Sequence, residues 1–210
     1  MSDPTSSSPR DALELADYRR RVAAVYAQVR TFDDPHAAWQ LWTRERNRLF
    51  ATHPQSPVID DPSFEAVLYF DYDPTWRFEV EVGSVDQRSL SIEHSTTGSS
   101  PYETVGTVTL EHGAASTTLS LYWLSTYGGG LFLPFRDATN GTDAPGTYGG
   151  GRYLLDTVKG ADLGVVGDRL VLDFNFSFHP SCAHSPRWSC PLAPPGNSFA
   201  TRVEAGERLT

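Results

Sequence analysis

From Pro57 onward the chain carries many short apolar alternations with no helix-length segment between them, and this restricts it to antiparallel β-structure. Trp76, Phe78, Val80 and Val82 alternate with Arg77, Glu79 and Glu81, the two-residue period of a strand with one buried face. Val108 and Leu110 alternate with threonines, and Leu119, Leu121 and Trp123 repeat the pattern. Gly113-Ala114 lies between these two runs where a hairpin turn belongs. Leu131 to Phe135 is a short apolar run. Leu170, Leu172, Phe174, Phe176 and Phe178 alternate over nine residues and predict one long strand, with Asp173 and Asn175 on its opposite face. Shorter candidates cover 66–70, 88–94, 153–157 and 199–203. Parallel pairing needs crossover helices, which are missing. The expected fold is therefore mainly β, an antiparallel β-barrel or sandwich.

The first quarter of the chain reads differently. Ser8-Pro9 is a helix start, and Tyr18, Val22, Val25, Tyr26 and Val29 follow at steps that build one helical face. Arg19, Arg20 and Arg21 read as its solvated side. Asp34-Pro35 opens a second helix running to about Phe50, with Trp39, Trp42, Leu49 and Phe50 directed inward. Two helices alone make a poor core, so they are expected to pack on the sheet. The organisation expected is a disordered tail over 1–10, a helical lead-in over 11–57 and a β domain over 58–210, the last two forming one folded unit.

Charge and hydropathy narrow the function classes. The formal net charge is -9, and Lys159 is the only lysine among 17 cationic residues. Such an acidic balance argues against nucleic acid, whose phosphates need a basic face, and against anionic membrane surfaces. It suits a salt-adapted or GC-rich source. No apolar run approaches the roughly 18 residues of a membrane span. The Ser- and Pro-rich start has no apolar signal core, so a cytoplasmic protein is expected.

Polar chemistry is crowded into 134–195. Arg136 and Arg152 offer planar forks for a carboxylate or phosphate. Asp137, Thr139, Asn140, Tyr148, Tyr153 and Asn175 add donors and acceptors, and Gly149, Gly150 and Gly151 allow a close backbone approach. The same segment also reads as a long turn, with Arg136 pairing to Asp137 or Asp173. Tyr148 and Asp173 are the acid–base candidates, since a group hydrogen-bonded near arginine can have a tuned pKa. His179, Cys182, His184 and Cys190 are metal-ligand types, but their spacing fits no standard finger. Cys182 and Cys190 also read as a thiol pair, whether packed, bridged or reactive. No cofactor motif and no Gly-x-Ser-x-Gly elbow is present.

Five motifs then occur in order: Pro134-Phe-Arg-Asp-Ala-Thr-Asn-Gly141, Thr147-Tyr-Gly-Gly-Gly-Arg-Tyr153, Leu172-Asp-Phe-Asn175, the pair Pro180-Ser-Cys182 and Cys190-Pro-Leu-Ala-Pro-Pro195, and Ala205-Gly-Glu207. In these the chain resembles the family named domain of unknown function 1684. The helix with Trp42, Arg44, Arg46 and Phe50, and Phe70-Asp-Tyr-Asp-Pro-Thr-Trp-Arg77, extend the resemblance from about residue 40. It implies a shared architecture and carries no established activity. In the family pattern the position of His179 is usually Asn and that of His184 aromatic, so the resemblance implies no metal site there. The cysteines match the pattern, as do Asp137, Thr139, Gly141, Tyr148, Gly151, Arg152, Asp173 and Asn175. The expectation is a small-molecule binding or catalytic domain with no cofactor, its ligand anionic or carbonyl-bearing and held by Arg136 and Arg152. Hydrolysis is the least demanding chemistry for it. The alternative is a non-catalytic structural or protein-interaction domain in which Arg136, Asp137, Arg152 and Asp173 form a buried network.

Overall fold

A computed structural model describes residues 8–209. Helix α1 (Pro9–Val29) opens with a reciprocal cap: Asp11 N–H donates to Ser8 Oγ, while the Asp11 carboxylate accepts from Ser8 N–H. It begins inside the segment read as a tail, and Met1–Ser7 lie outside the described residues. Helix α2 (Pro35–Thr52) is capped by Asp34, whose carboxylate accepts from His36 N–H at 2.9 Å.

The rest is mainly β, in three antiparallel sheets. Strands β3 (Arg88–Glu93), β4 (Ser99–His112), β5 (Ala115–Leu124), β6 (Leu131–Phe135) and β7 (Arg152–Asp156) pair in that order. Strands β2 (Arg77–Val80), β9 (Arg169–Asp173) and β8 (Val165–Val166) form a second sheet, and β1 (Leu68–Tyr69) with β10 (Glu207–Arg208) a third. The expected hairpin at Gly113 is the β4–β5 turn.

Strand alternation gives the five-stranded sheet two buried faces. Val108, Leu110, Leu119, Leu121, Leu133 and Leu155 meet Leu170 and Leu172 of the second sheet, and Trp76 just before it, in one core. Their neighbours in sequence, including Tyr122 and Phe132, join Ile92, Tyr102 and Tyr153 under the helices, with Tyr26, Val29, Ala38 and Trp42 above them. Each such large side chain removed from water contributes on the order of 1.5–3 kcal/mol. The helices thus cover the sheet as their apolar faces require.

Two strand readings are corrected. The nine-residue alternation does not make one strand: β9 stops at Asp173, whose carboxylate accepts from Asn175 N–H and starts a 3₁₀ turn over Phe174–Phe176. A short polar side chain that can bond its own backbone competes with the ladder. The turn sends Phe174 into the sheet–sheet core and Phe176 into the helix-side core. Residues 199–203 are not a strand either. Phe199 N–H donates to Arg136 O in an isolated bridge, but Val203 N–H donates to the Asp137 carboxylate, so a side chain ends the pairing before it becomes a ladder.

Gly206 holds β10 in place. It has φ +78°, and a Cβ there would lie 2.6 Å from Ser177 O and 2.7 Å from Phe174 O. Gly206→Ala is expected to cost at least about 1–3 kcal/mol from backbone strain, since besides the Ser177 hydroxyl it meets two main-chain carbonyls that cannot yield. A urea melt within experimental error of the parent would contradict this placement.

Candidate functional site

Arg152, at the start of β7, is fully buried. Its Nη1 donates to Ala205 O at 2.5 Å and Glu207 O at 3.1 Å, and its Nη2 donates to Val203 O at 2.8 Å. Nη2 also reaches Asp137 Oδ1 at 3.3 Å, and the guanidinium lies over the Phe135 ring at 5.0 Å. Asp137 accepts from the Thr139 hydroxyl and amide and from Val203 N–H. Asn140 bonds back to Asp137 N–H and across to the Thr147 hydroxyl. Arg136 donates from Nε to Ala193 O at 2.6 Å and from Nη1 to Gly149 O at 3.1 Å. Tyr153 gives its hydroxyl hydrogen to Pro191 O. The polar motif residues therefore come together around the C-terminal segment, with their donors committed to its main chain.

Beside them is a cluster that sequence reasoning left unassembled. Arg46 of α2 pairs with Glu207 of β10, and Glu207 Oε2 accepts from His179 N–H at 2.7 Å. Ligand atoms of His179, His184 and Glu207 all fall within 4.8 Å of one another. The tautomer works against a metal ion there. His179 Nε2 accepts from Tyr148 N–H at 3.3 Å, so the proton sits on Nδ1, which faces Glu207 Oε2 at 3.5 Å. Burial, with Arg152 nearby, holds His179 well below its ordinary pKa and keeps it neutral. The cysteines stand apart from this cluster; Cys182 Sγ lies 3.8 Å from Tyr148 Oη.

Asp173 is the third centre. Oδ1 accepts from Asn175 N–H and from its Nδ2, and Asn175 clamps the Asp73 peptide through both its side-chain atoms. Oδ2 is buried with no partner among the described residues. Burial, opposed by the bonds from Asn175, pushes the carboxyl up to about 6. Relative to an ordinary value of 3.8, the folded state then binds more protons than the unfolded one between those limits. Stability falls as pH rises through that window, by an amount on the order of 3 kcal/mol once Asp173 is fully ionised. Asp173→Asn is expected to be relatively more stable above about pH 6, with the variant-minus-parent urea midpoint rising between about pH 4 and 6. A difference that stays flat across that range would contradict it.

A cavity with aromatic walls lies elsewhere, between α1 and the helix-facing side of the five-stranded sheet, with a volume of about 250 Å³. Tyr18, Tyr102, Phe132, Tyr153 and Trp188 give it aromatic walls. Lys159 stands in it paired to Asp156 at 2.5 Å. His94 bonds Ser100 at 2.9 Å, and both line it. Arg19 is on the rim and has no ion-pair partner among the described residues. Of the expected site residues Tyr153 lines this cavity, as does Cys190 of the thiol pair. Arg19 read as a solvated cation, because nothing local shows that α1 and the strap at 188–191 close over the same face.

No helix among the described residues is long and apolar enough to cross a membrane. Residues 62–208 match the family model described as a protein of unknown function, DUF1684. The chain is also similar to the solution NMR structure of an uncharacterized protein from Haloarcula marismortui, at 35% identity over 83% of this chain and 94% of that one, with a TM-score of 0.59. No curated protein matches the chain.

Proposed function

Given that the chain belongs to the DUF1684 family of proteins of unknown function, we propose that it is a small-molecule-binding domain whose ligand is a flat apolar molecule carrying an anionic group. The ligand sits in the aromatic cavity under α1. The observation that carries this reading is a concave site of about 250 Å³ walled by five aromatic rings and rimmed by the unpaired Arg19 guanidinium. Lys159 adds positive charge but is already neutralised by Asp156. Arg19 is therefore the free anchor for a carboxylate.

Arg136, Asp137 and Arg152 support part of the alternative the sequence left open, a network that holds the C-terminal segment, whereas Asp173, expected in it, stands apart with Asn175 at the Asp73 peptide. Arg152 has no exposed surface on which a ligand could stand. Tyr148 and Asp173 do not share a pocket, so the reading stops at binding and proposes no hydrolysis.

Titration with 2-naphthoate and with its neutral alcohol tests the proposal. The acid is expected to bind, and Arg19→Ala to weaken it about tenfold, the worth of one charged hydrogen bond, while leaving the alcohol unchanged. No binding of either compound, or an equal loss for both, would overturn it.

A further inference from the structure

A histidine just past β3 and a serine early in β4 stand side by side in the lining of the aromatic cavity. Ser100 is opposite Ile92 in the β3–β4 register, and His94 follows Ile92 by two residues. Strand alternation puts all three on one face, the face that packs Ile92 and Tyr102 under the helices. His94 and Ser100 are half-buried, and both line the cavity. The strap then adds Ser189 to the same lining. Ser95 N–H donates to Cys190 O at 2.9 Å and Leu192 N–H to Glu93 O at 2.8 Å, which fixes the strap beside His94.

The contacts form a chain. His94 Nε2 lies 2.9 Å from Ser100 Oγ, and His94 Nδ1 lies 3.4 Å from Ser189 Oγ. The Thr96 hydroxyl donates to Ser189 Oγ at 2.7 Å. With the ring proton on Nδ1, Ser189 accepts from both Thr96 and His94, as its two lone pairs allow. Nε2 is then left to accept from the Ser100 hydroxyl. A hydroxyl bonded to an imidazole whose far nitrogen is held by a third group is the arrangement that activates a serine nucleophile.

We infer that Ser100 and His94 hydrolyse esters of the flat anionic molecules that the cavity takes, an activity that rests on the cavity reading and involves neither Tyr148 nor Asp173. Ser100 Oγ attacks the ester carbonyl carbon while His94 Nε2 takes its proton. The bond to the leaving oxygen breaks, that oxygen takes the proton from His94, and an acyl group stays on Ser100. Water then attacks the acyl carbon and passes a proton to Nε2, and Ser100 Oγ leaves and recovers it. Ester and water become acid and alcohol, with both residues restored. Ser189 acts through His94, as a positioning residue that fixes the ring tautomer.

The test uses 6-acetoxy-2-naphthoate with the full chain, following release of fluorescent 6-hydroxy-2-naphthoate and the mass of acid-quenched protein. The parent is expected to turn the ester over and to carry acetyl on the peptide that contains Ser100. Ser100→Ala and His94→Gln should each lower kcat at least about a hundredfold while still binding 2-naphthoate. Ser189→Ala should lower kcat about tenfold with KM unchanged, and Ser189→Thr should restore it. Binding of 2-naphthoate without turnover by the parent would overturn hydrolysis and leave the cavity reading standing, whereas neither binding nor turnover would overturn both. Turnover undiminished in Ser100→Ala, or acetyl found on Lys159 in place of Ser100, would also overturn the inference. The parent's turnover and acetyl position need no variant, so a substitution that fails to fold leaves the test intact.

Discussion

Arg152→Ala is expected to destabilise the folded state by about 3–5 kcal/mol, the cost of removing one partner from a buried ion pair. The substitution leaves Asp137 charged and fully buried, facing only the Thr139 and Val203 donors. It also orphans the carbonyls of Val203, Ala205 and Glu207, which accept from this guanidinium. Arg152→Lys should recover little, because a single ammonium cannot reproduce a planar fork that reaches three carbonyls and a carboxylate. Guanidinium denaturation of both variants checks this, and a melt of Arg152→Ala close to the parent would mean that the network does not hold the fold.

Glu207→Ala should cost a similar amount, about 3–5 kcal/mol, by a different route. Arg46 is only 11% exposed and would lose its carboxylate while keeping the faces of Phe50 and Phe178 at 4.5 and 5.1 Å. Aromatic faces offset part of the charge, on the order of 1–2 kcal/mol, and not a whole ion pair. His179 N–H would lose its acceptor as well. Because this pair joins α2 to β10, hydrogen-exchange protection should fall first in Pro35–Thr52. Replacing both partners with apolar residues, Arg46→Met with Glu207→Leu, should recover much of the loss, since no buried charge is then left alone. A double variant as unstable as Glu207→Ala would show that the pair is not the cause.

Much of the architecture was legible in residue patterns because local chemistry and global packing agree there. Ser8-Pro9 and Asp34-Pro35 cap the helices they announce, and Gly113 turns the hairpin that the flanking alternations require. The readings failed where a polar side chain overrode periodicity. Asp173 ended a strand that five apolar residues would have extended, and Asp137 drew Val203 out of ladder geometry. Arg136, Asp137, Thr139, Asn140 and Arg152 were recognisable as one group, since forks, carboxylates and amides in a short stretch announce a network; Asp173 and Asn175, expected with them, form a separate centre at the Asp73 peptide. Whether such a network faces a ligand or a main chain depends on which carbonyls lie opposite, and those come from 193–207, beyond any local window. The aromatic cavity was not legible. Its walls come from α1, three strands and the strap near Trp188, and each ring reads alone as ordinary core.

The central claim is a division of labour, with the polar motifs holding the fold and the aromatic cavity under α1 receiving the ligand. Amide chemical-shift mapping of the ¹⁵N-labelled chain during 2-naphthoate titration tests it most directly. The account predicts shifts concentrated at Arg19, Tyr102, Phe132, Lys159 and Trp188, with Asp137, Thr139, Arg152 and Val203 unmoved. Shifts centred on Asp137, Arg152 and their neighbours, with the aromatic wall silent, would contradict it.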